Sequence, residues 1–134
     1  MKMMKSRFLV LASILMAALL LSGCISSSNS ENAVPEKVDV SIKVIVNEKT
    51  IVDQTISVAK GTSALEALQK VALVETKPYS LGKFIVGIAG INSTGADYWA
   101  FYINKEYAQV GTDSYKIENP AELMFKLEKI TNFS

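Results

Sequence analysis

The 134-residue sequence contains no histidine. That absence removes the usual general base near neutral pH, the commonest zinc ligand, and every Ser-His or Cys-His nucleophile arrangement. Cysteine is almost as scarce: Cys24 stands alone, so no intrachain disulfide can form and the folded part must hold together by packing. Charge of either sign is sparse too, with 14 basic and 13 acidic residues, and no basic stripe is left to neutralise nucleic-acid phosphates. No phosphate loop, dinucleotide fingerprint or calcium loop appears. Glu66, Glu75, Asp97, Asp113 and Glu118 lack a catalytic spacing and read as solvated surface charge. The chain is therefore expected to bind rather than catalyse, with no cofactor required.

What is present begins with Lys2, Lys5 and Arg7, followed by an apolar run from Phe8 to Leu21 that only Ser13 interrupts. A basic segment, a short apolar segment and small residues, in that order, form a secretory signal. The run is shorter than the ~20 apolar residues that a spanning helix needs. It ends in Leu21-Ser22-Gly23-Cys24, which resembles the lipobox of prokaryotic lipoproteins. The resemblance implies that the Cys24 thiol is alkylated by a diacylglycerol-like lipid and that cleavage makes Cys24 the first residue of the mature chain. Residues 1–23 are then a signal peptide, and the protein is expected on the extracytoplasmic face of the membrane, anchored at the cell surface.

Loss of residues 1–23 removes three basic and no acidic residues, so the net charge moves from +1 to −2. Residues 24–36, rich in Ser and Asn, read as a tether with a root-mean-square reach of roughly 20 Å. Residues 37–134 suffice for one domain with one core.

Within that domain Val38, Val40, Ile42, Val44 and Val46 recur at period two and predict a strand. A polar break at Asn47-Glu48-Lys49 and a β-branched run from Thr50 to Val58 complete a hairpin, with Asp53-Gln54-Thr55 marking an exposed edge. Ser63 and Glu66 have the spacing of a capping box at a helix start. Leu65, Leu68, Val71 and Ala72 give that helix a narrow apolar stripe, and Lys77-Pro78 closes the segment. Gly82–Ile91 is predicted as a third strand, in which Gly87 and Gly90 suggest a bulge or a close backbone approach. Tyr98–Ile103 is the most aromatic strand, Tyr107–Val110 a short one, and Leu123–Ile130 the last. The expected fold is α+β, a β-grasp-like mixed sheet with one covering helix in the order ββαβββ(β).

The candidate site lies where the glycine-bearing and aromatic strands come together. Trp99, Phe101 and Ile103 project to one side of a strand and Tyr98, Ala100 and Tyr102 to the other. One set fills the core, and the other, with Tyr107 and Tyr115, can stack on a flat ligand or meet a partner. The sequence leaves open which set faces out.

From Val38 to Ile130 the chain resembles the small transcobalamin-like domain found at the C-terminus of transcobalamin and intrinsic factor and in prokaryotic surface proteins. The residues that carry the likeness are Gly61-Thr62-Ser63-Ala64-Leu65 with Leu68, Leu81-Gly82-Lys83-Phe84-Ile85, Tyr98 to Asn104, Val110-Gly111, Tyr115 and Phe125. The resemblance implies a domain that closes over one side of cobalamin. Carried to this sequence, it implies contact through Tyr98 and Trp99 and then through the loop from Asn92 to Asp97, with no metal ligand from the protein. It departs from the carriers in lacking their large helical domain. The alternative is a surface module that binds a protein or an envelope polymer through a sheet edge or the aromatic patch. The expected partners are thus membrane lipid at Cys24 and either a corrinoid or a surface macromolecule, but no nucleic acid.

Overall fold

The computed structural model describes residues 34–131. Cys24 and the expected signal peptide lie outside them. Strand β1 (Lys37–Val46) buries Val38, Val40, Ile42 and Val44 while Asp39 stays exposed, because a period-two apolar pattern can bury a single face only in extended chain. Strand β2 (Lys49–Ala59) returns antiparallel to it. Asn47 and Glu48, with φ of 50° and 62°, form the connection, which has the positive-φ geometry whose twist suits a two-residue hairpin. β2 forms one edge of its sheet, and Asp53, Gln54 and Thr55 are exposed on it.

Beside β1 on its other flank lies strand β10 (Ala121–Lys129), parallel to it, with Ile42 opposite Leu123 and Val44 opposite Phe125. Strand β7 (Asp97–Ile103) follows antiparallel to β10, then the two-residue strand β8 (Glu106–Tyr107). The resulting five-stranded mixed sheet has the order β2-β1-β10-β7-β8. Its inner face supplies most of the core, including the fully buried Phe125, whose ring stacks on Phe101 at 5.1 Å.

Helix α1 (Ala64–Gln69) is the only helix among the described residues. The Ser63 Oγ accepts the Glu66 N–H at 3.1 Å, and the Ser63 N–H donates to Glu66 Oε2 at 2.8 Å, the reciprocal capping box that the spacing predicts. That backbone hydrogen bond from Ser63 holds the Glu66 carboxyl below its usual pKa. Ala64, Leu65, Ala67 and Leu68 are buried in the same cluster as Ile42, Leu123 and Phe125. Among the described residues, no helix is long and apolar enough to cross a membrane.

Two expectations are corrected. The helix does not extend through the stripe to Val71 and Ala72: Lys70 caps it, and the segment expected to end it is strand β4 (Val74–Tyr79), paired with β5 (Gly82–Ile88). The residue before a proline favours extended backbone, and Pro78 sits on an edge strand, where proline is tolerated. Nor is Gly82–Ile91 one strand, because Ala89 and Gly90 both take positive φ and turn the chain into strand β6 (Ile91–Asn92). Gly87 does make a close approach: a Cβ there would meet the Asn92 side chain. Strands β3 (Thr62–Ser63) and β9 (Lys116–Ile117) form a small separate pair.

Candidate functional site: a cleft at the open edge of the aromatic strand

Backbone geometry along β7 sets up the site. The Asn104 N–H donates to the Glu122 carbonyl at 2.8 Å, on the β10 side, and the Ala108 N–H donates to the Phe101 carbonyl at 2.9 Å, on the β8 side. Successive residues of a ladder direct their N–H and C=O groups to opposite flanks. Trp99 and Asp97 therefore direct theirs to the same flank as Phe101. β8 ends at Tyr107, so past Phe101 this flank of β7 has no strand partner among the described residues.

A half-open cleft of about 140 Å³ lies against this edge, lined chiefly by apolar side chains that include Phe84, Tyr98, Trp99, Tyr107 and Val110. The segment Ala108–Thr112 that closes it is fixed on three sides. Ala108 is bonded to Phe101 of β7, and the Thr112 carbonyl accepts the Leu65 N–H of α1 at 2.9 Å. Next to it in sequence, Asp113 Oδ2 accepts the Lys83 N–H of β5 at 2.9 Å.

The inward set of β7 is Trp99 and Phe101, only 6% and 8% exposed. Tyr98 and Tyr102 lie half-buried on the opposite face, and Ala100 between them is 1% exposed beneath the long side chains around it. Tyr98 and Trp99 nevertheless both line the cleft at the β7 edge. The indole Nε1 of Trp99 is buried with no hydrogen-bond partner among the described residues. Buried polar groups are nearly always bonded, and a desolvated donor without an acceptor costs about 1–3 kcal/mol.

On the outer face Glu128, opposite Tyr98 in register, accepts from two phenols: Tyr102 at 2.5 Å and Tyr98 at 3.4 Å. Tyr102 also packs edge-on against Tyr107 at 5.5 Å. Burial, with Tyr107 and the Glu128 carboxylate close by, pushes the Tyr98 phenol up to about 12. For Tyr102 the hydrogen bond to Glu128 is the larger cause, with burial next, and its pKa is also about 12. Both phenols are therefore neutral donors at physiological pH.

Of the four residues expected to touch a ligand, Tyr98 and Trp99 line the cleft and the other two do not. Asn92, on β6, turns its side chain toward Gly87. The Asp97 carboxylate accepts the Thr94 N–H at 2.5 Å and the Thr94 hydroxyl at 3.2 Å, which orders its own loop. Phe84 and Val110 also line the cleft, and no motif in the sequence marks them for it. Their signal was exposure of large apolar groups, 49% for each, which no periodicity reveals. Among the described residues, no group of three or more Asp, Glu, Cys or His side chains could hold a metal ion.

The fold matches haptocorrin in complex with Cbi, at a TM-score of 0.66 and 22% identity over 81% of this chain. This chain spans 29% of the haptocorrin chain. It also matches a candidate metal binding protein from Ruminococcus gnavus ATCC 29149, at a TM-score of 0.58 and 13% identity, over 70% of this chain and 99% of that one. At these identities the likeness is one of fold. No curated protein matches in sequence. The family model described as a domain of unknown function, DUF4430, matches residues 61–129, just over half of the chain and all of the cleft. The chain belongs to the DUF4430 family.

Proposed function

We propose that this protein is a non-catalytic, extracytoplasmic lipoprotein whose β-grasp-like domain, residues 37–134, holds one side of a flat ligand in the cleft at the β7 edge. A corrinoid is the leading candidate. The observation that carries the reading is Trp99, a buried donor without an acceptor in the wall of an apolar cleft. The indole N–H is fully covered in the free protein, so in this reading a small shift of the cleft wall brings it to an oxygen or nitrogen acceptor on a ligand that covers Tyr98, Phe84 and Tyr107. The volume supports partial contact, since about 140 Å³ is well below the ~300–1,000 Å³ of a site that engulfs a small molecule. The match to haptocorrin in complex with Cbi and the resemblance to the transcobalamin-like domain support a corrinoid. In this reading the Cys24 lipid holds the domain to the membrane through residues 24–36, and the thiol is unavailable for other chemistry.

Trp99 is the single tryptophan, so its fluorescence reports on the cleft directly. Titration with cobinamide or cobalamin is expected to change it saturably at micromolar ligand. A flat titration would exclude the corrinoid.

One observation favours a second reading. The unpaired backbone groups of Trp99 and Asp97 could receive an extended segment of a surface protein as an added strand. Cross-linking on intact cells separates the two, because this reading requires a captured polypeptide and the first does not.

A further inference from the structure

The tip of the β4–β5 hairpin carries Leu81, the most exposed large apolar side chain among the described residues. Leu81 is 85% exposed and Tyr79 68%, and Phe84 beside them is half exposed. Tyr79 and Phe84 share a face with Lys77, while Pro78 and Lys83 share the other, as the register Lys77↔Phe84 and Pro78↔Lys83 requires. Leu81 and Ser80 form the tip. An exposed apolar cluster of this kind on a small domain marks a contact surface.

We propose that this hairpin is a membrane-contact device, in which Leu81 and Tyr79 enter the boundary between headgroups and acyl chains of an anionic bilayer while Lys77 and Lys83 meet the phosphates.

Three observations select a bilayer as the occupant. The apolar groups project at the end of a hairpin, a convex shape that a fluid interface accommodates without a matching pocket. Each strand then carries one lysine just behind the tip, on opposite faces, and neither makes a salt bridge among the described residues. Their long stems can lie along apolar surface with the ammonium groups at the headgroups. Finally, the hairpin is braced from behind. Gly82, at φ +135°, leaves room for the Asp113 carboxylate, which accepts the Lys83 N–H. Little further conformational freedom is then lost on insertion. This role does not depend on the lipid at Cys24, and it would orient the domain that such a lipid only tethers.

The test uses the unlipidated chain from residue 24 with Cys24→Ser. Every buried residue of the core lies between Val38 and Phe125, so the domain keeps its core. Sedimentation with phosphatidylcholine vesicles, alone and with about a third phosphatidylglycerol, gives the partition coefficient. Binding is expected to rise with the anionic lipid and to fall with salt. Leu81→Asp is expected to weaken it at least about tenfold, since a Leu contributes most of its burial energy there. Lys77→Gln with Lys83→Gln is expected to abolish the preference for anionic lipid. These positions are exposed, so thermal unfolding should be unchanged, and because Leu81 lies outside the cleft the Trp99 titration should be unaffected by Leu81→Asp, which separates failure of this proposal from failure of the ligand-binding one. Equal partition of wild type and Leu81→Asp would overturn the proposal. So would self-association in lipid-free solution that Leu81→Asp abolishes, which would assign the tip to a second copy of the chain.

Discussion

Trp99→Phe separates the two roles of the aromatic strand. The substitution removes about three heavy atoms from a residue that is 6% exposed, a loss of roughly 2 kcal/mol at ~0.8 kcal/mol per buried carbon. It also removes an indole N–H that is buried without a partner, which returns about 1–3 kcal/mol. The two effects oppose, so the ligand-free variant should match wild type within about 1 kcal/mol. Urea unfolding followed by far-UV circular dichroism measures this, and the midpoint should move by less than about 1 M at the slope expected for a small domain. Ligand affinity, by calorimetry, should nevertheless fall by a few-fold to about tenfold, because the variant cannot donate to the ligand. Destabilisation of more than about 3 kcal/mol would refute the reasoning, since it would mean that the indole N–H is already satisfied in the free protein.

Further predictions concern the frame that positions the cleft. Phe125→Ala, at a fully buried position stacked on Phe101, is expected to cost about 3–5 kcal/mol, measurable by the same urea titration, and so to bring a domain of this size close to unfolding. Ser63→Ala should cost about 1 kcal/mol through loss of the helix cap. Because Glu66 has a lowered pKa in the folded state, its stabilisation is present above the unfolded carboxyl value and is lost as pH falls through the lower folded one. Glu66→Gln should flatten that acid limb in pH-dependent unfolding. The phenols of Tyr98 and Tyr102 are raised to about 12, so their contribution is complete below the unfolded tyrosine value of about 10 and is lost as pH rises through the folded one. Phenolate absorbance should show two late-titrating tyrosines, and Glu128→Gln should bring Tyr102 down toward the ordinary value.

Much of this frame is legible in the sequence where a pattern has one physical solution. The period-two valines of β1 can bury a face only as a strand, and Ser63 with Glu66 caps a helix wherever the chain turns from Gly61. The helix end was not legible, because Val71 and Ala72 suit either a helical stripe or the half-buried turn they occupy. Proline gave the wrong message at β4 for a similar reason: it forbids helix before it but permits an edge strand as readily as a loop. In the cleft, Tyr98 and Trp99 were singled out by the resemblance to the transcobalamin-like domain, since strand alternation left open which aromatic set faces out. The sequence could not show that β8 stops after Tyr107, and that is what leaves the edge of β7 open. Nor could it distinguish Asp97 and Asn92 as loop-ordering groups from ligand contacts, since that depends on Thr94 and Gly87 being where they are.

The central claim, that a ligand occupies the cleft and accepts a hydrogen bond from Trp99, is tested most directly by NMR titration of the labelled domain with cobinamide. The account predicts a saturable downfield shift of the Trp99 indole N–H resonance, with the largest backbone shifts at Tyr98, Trp99 and Ala108–Thr112 and little change along β2. An indole resonance that stays fixed while other regions respond, or no response at millimolar ligand, would contradict it.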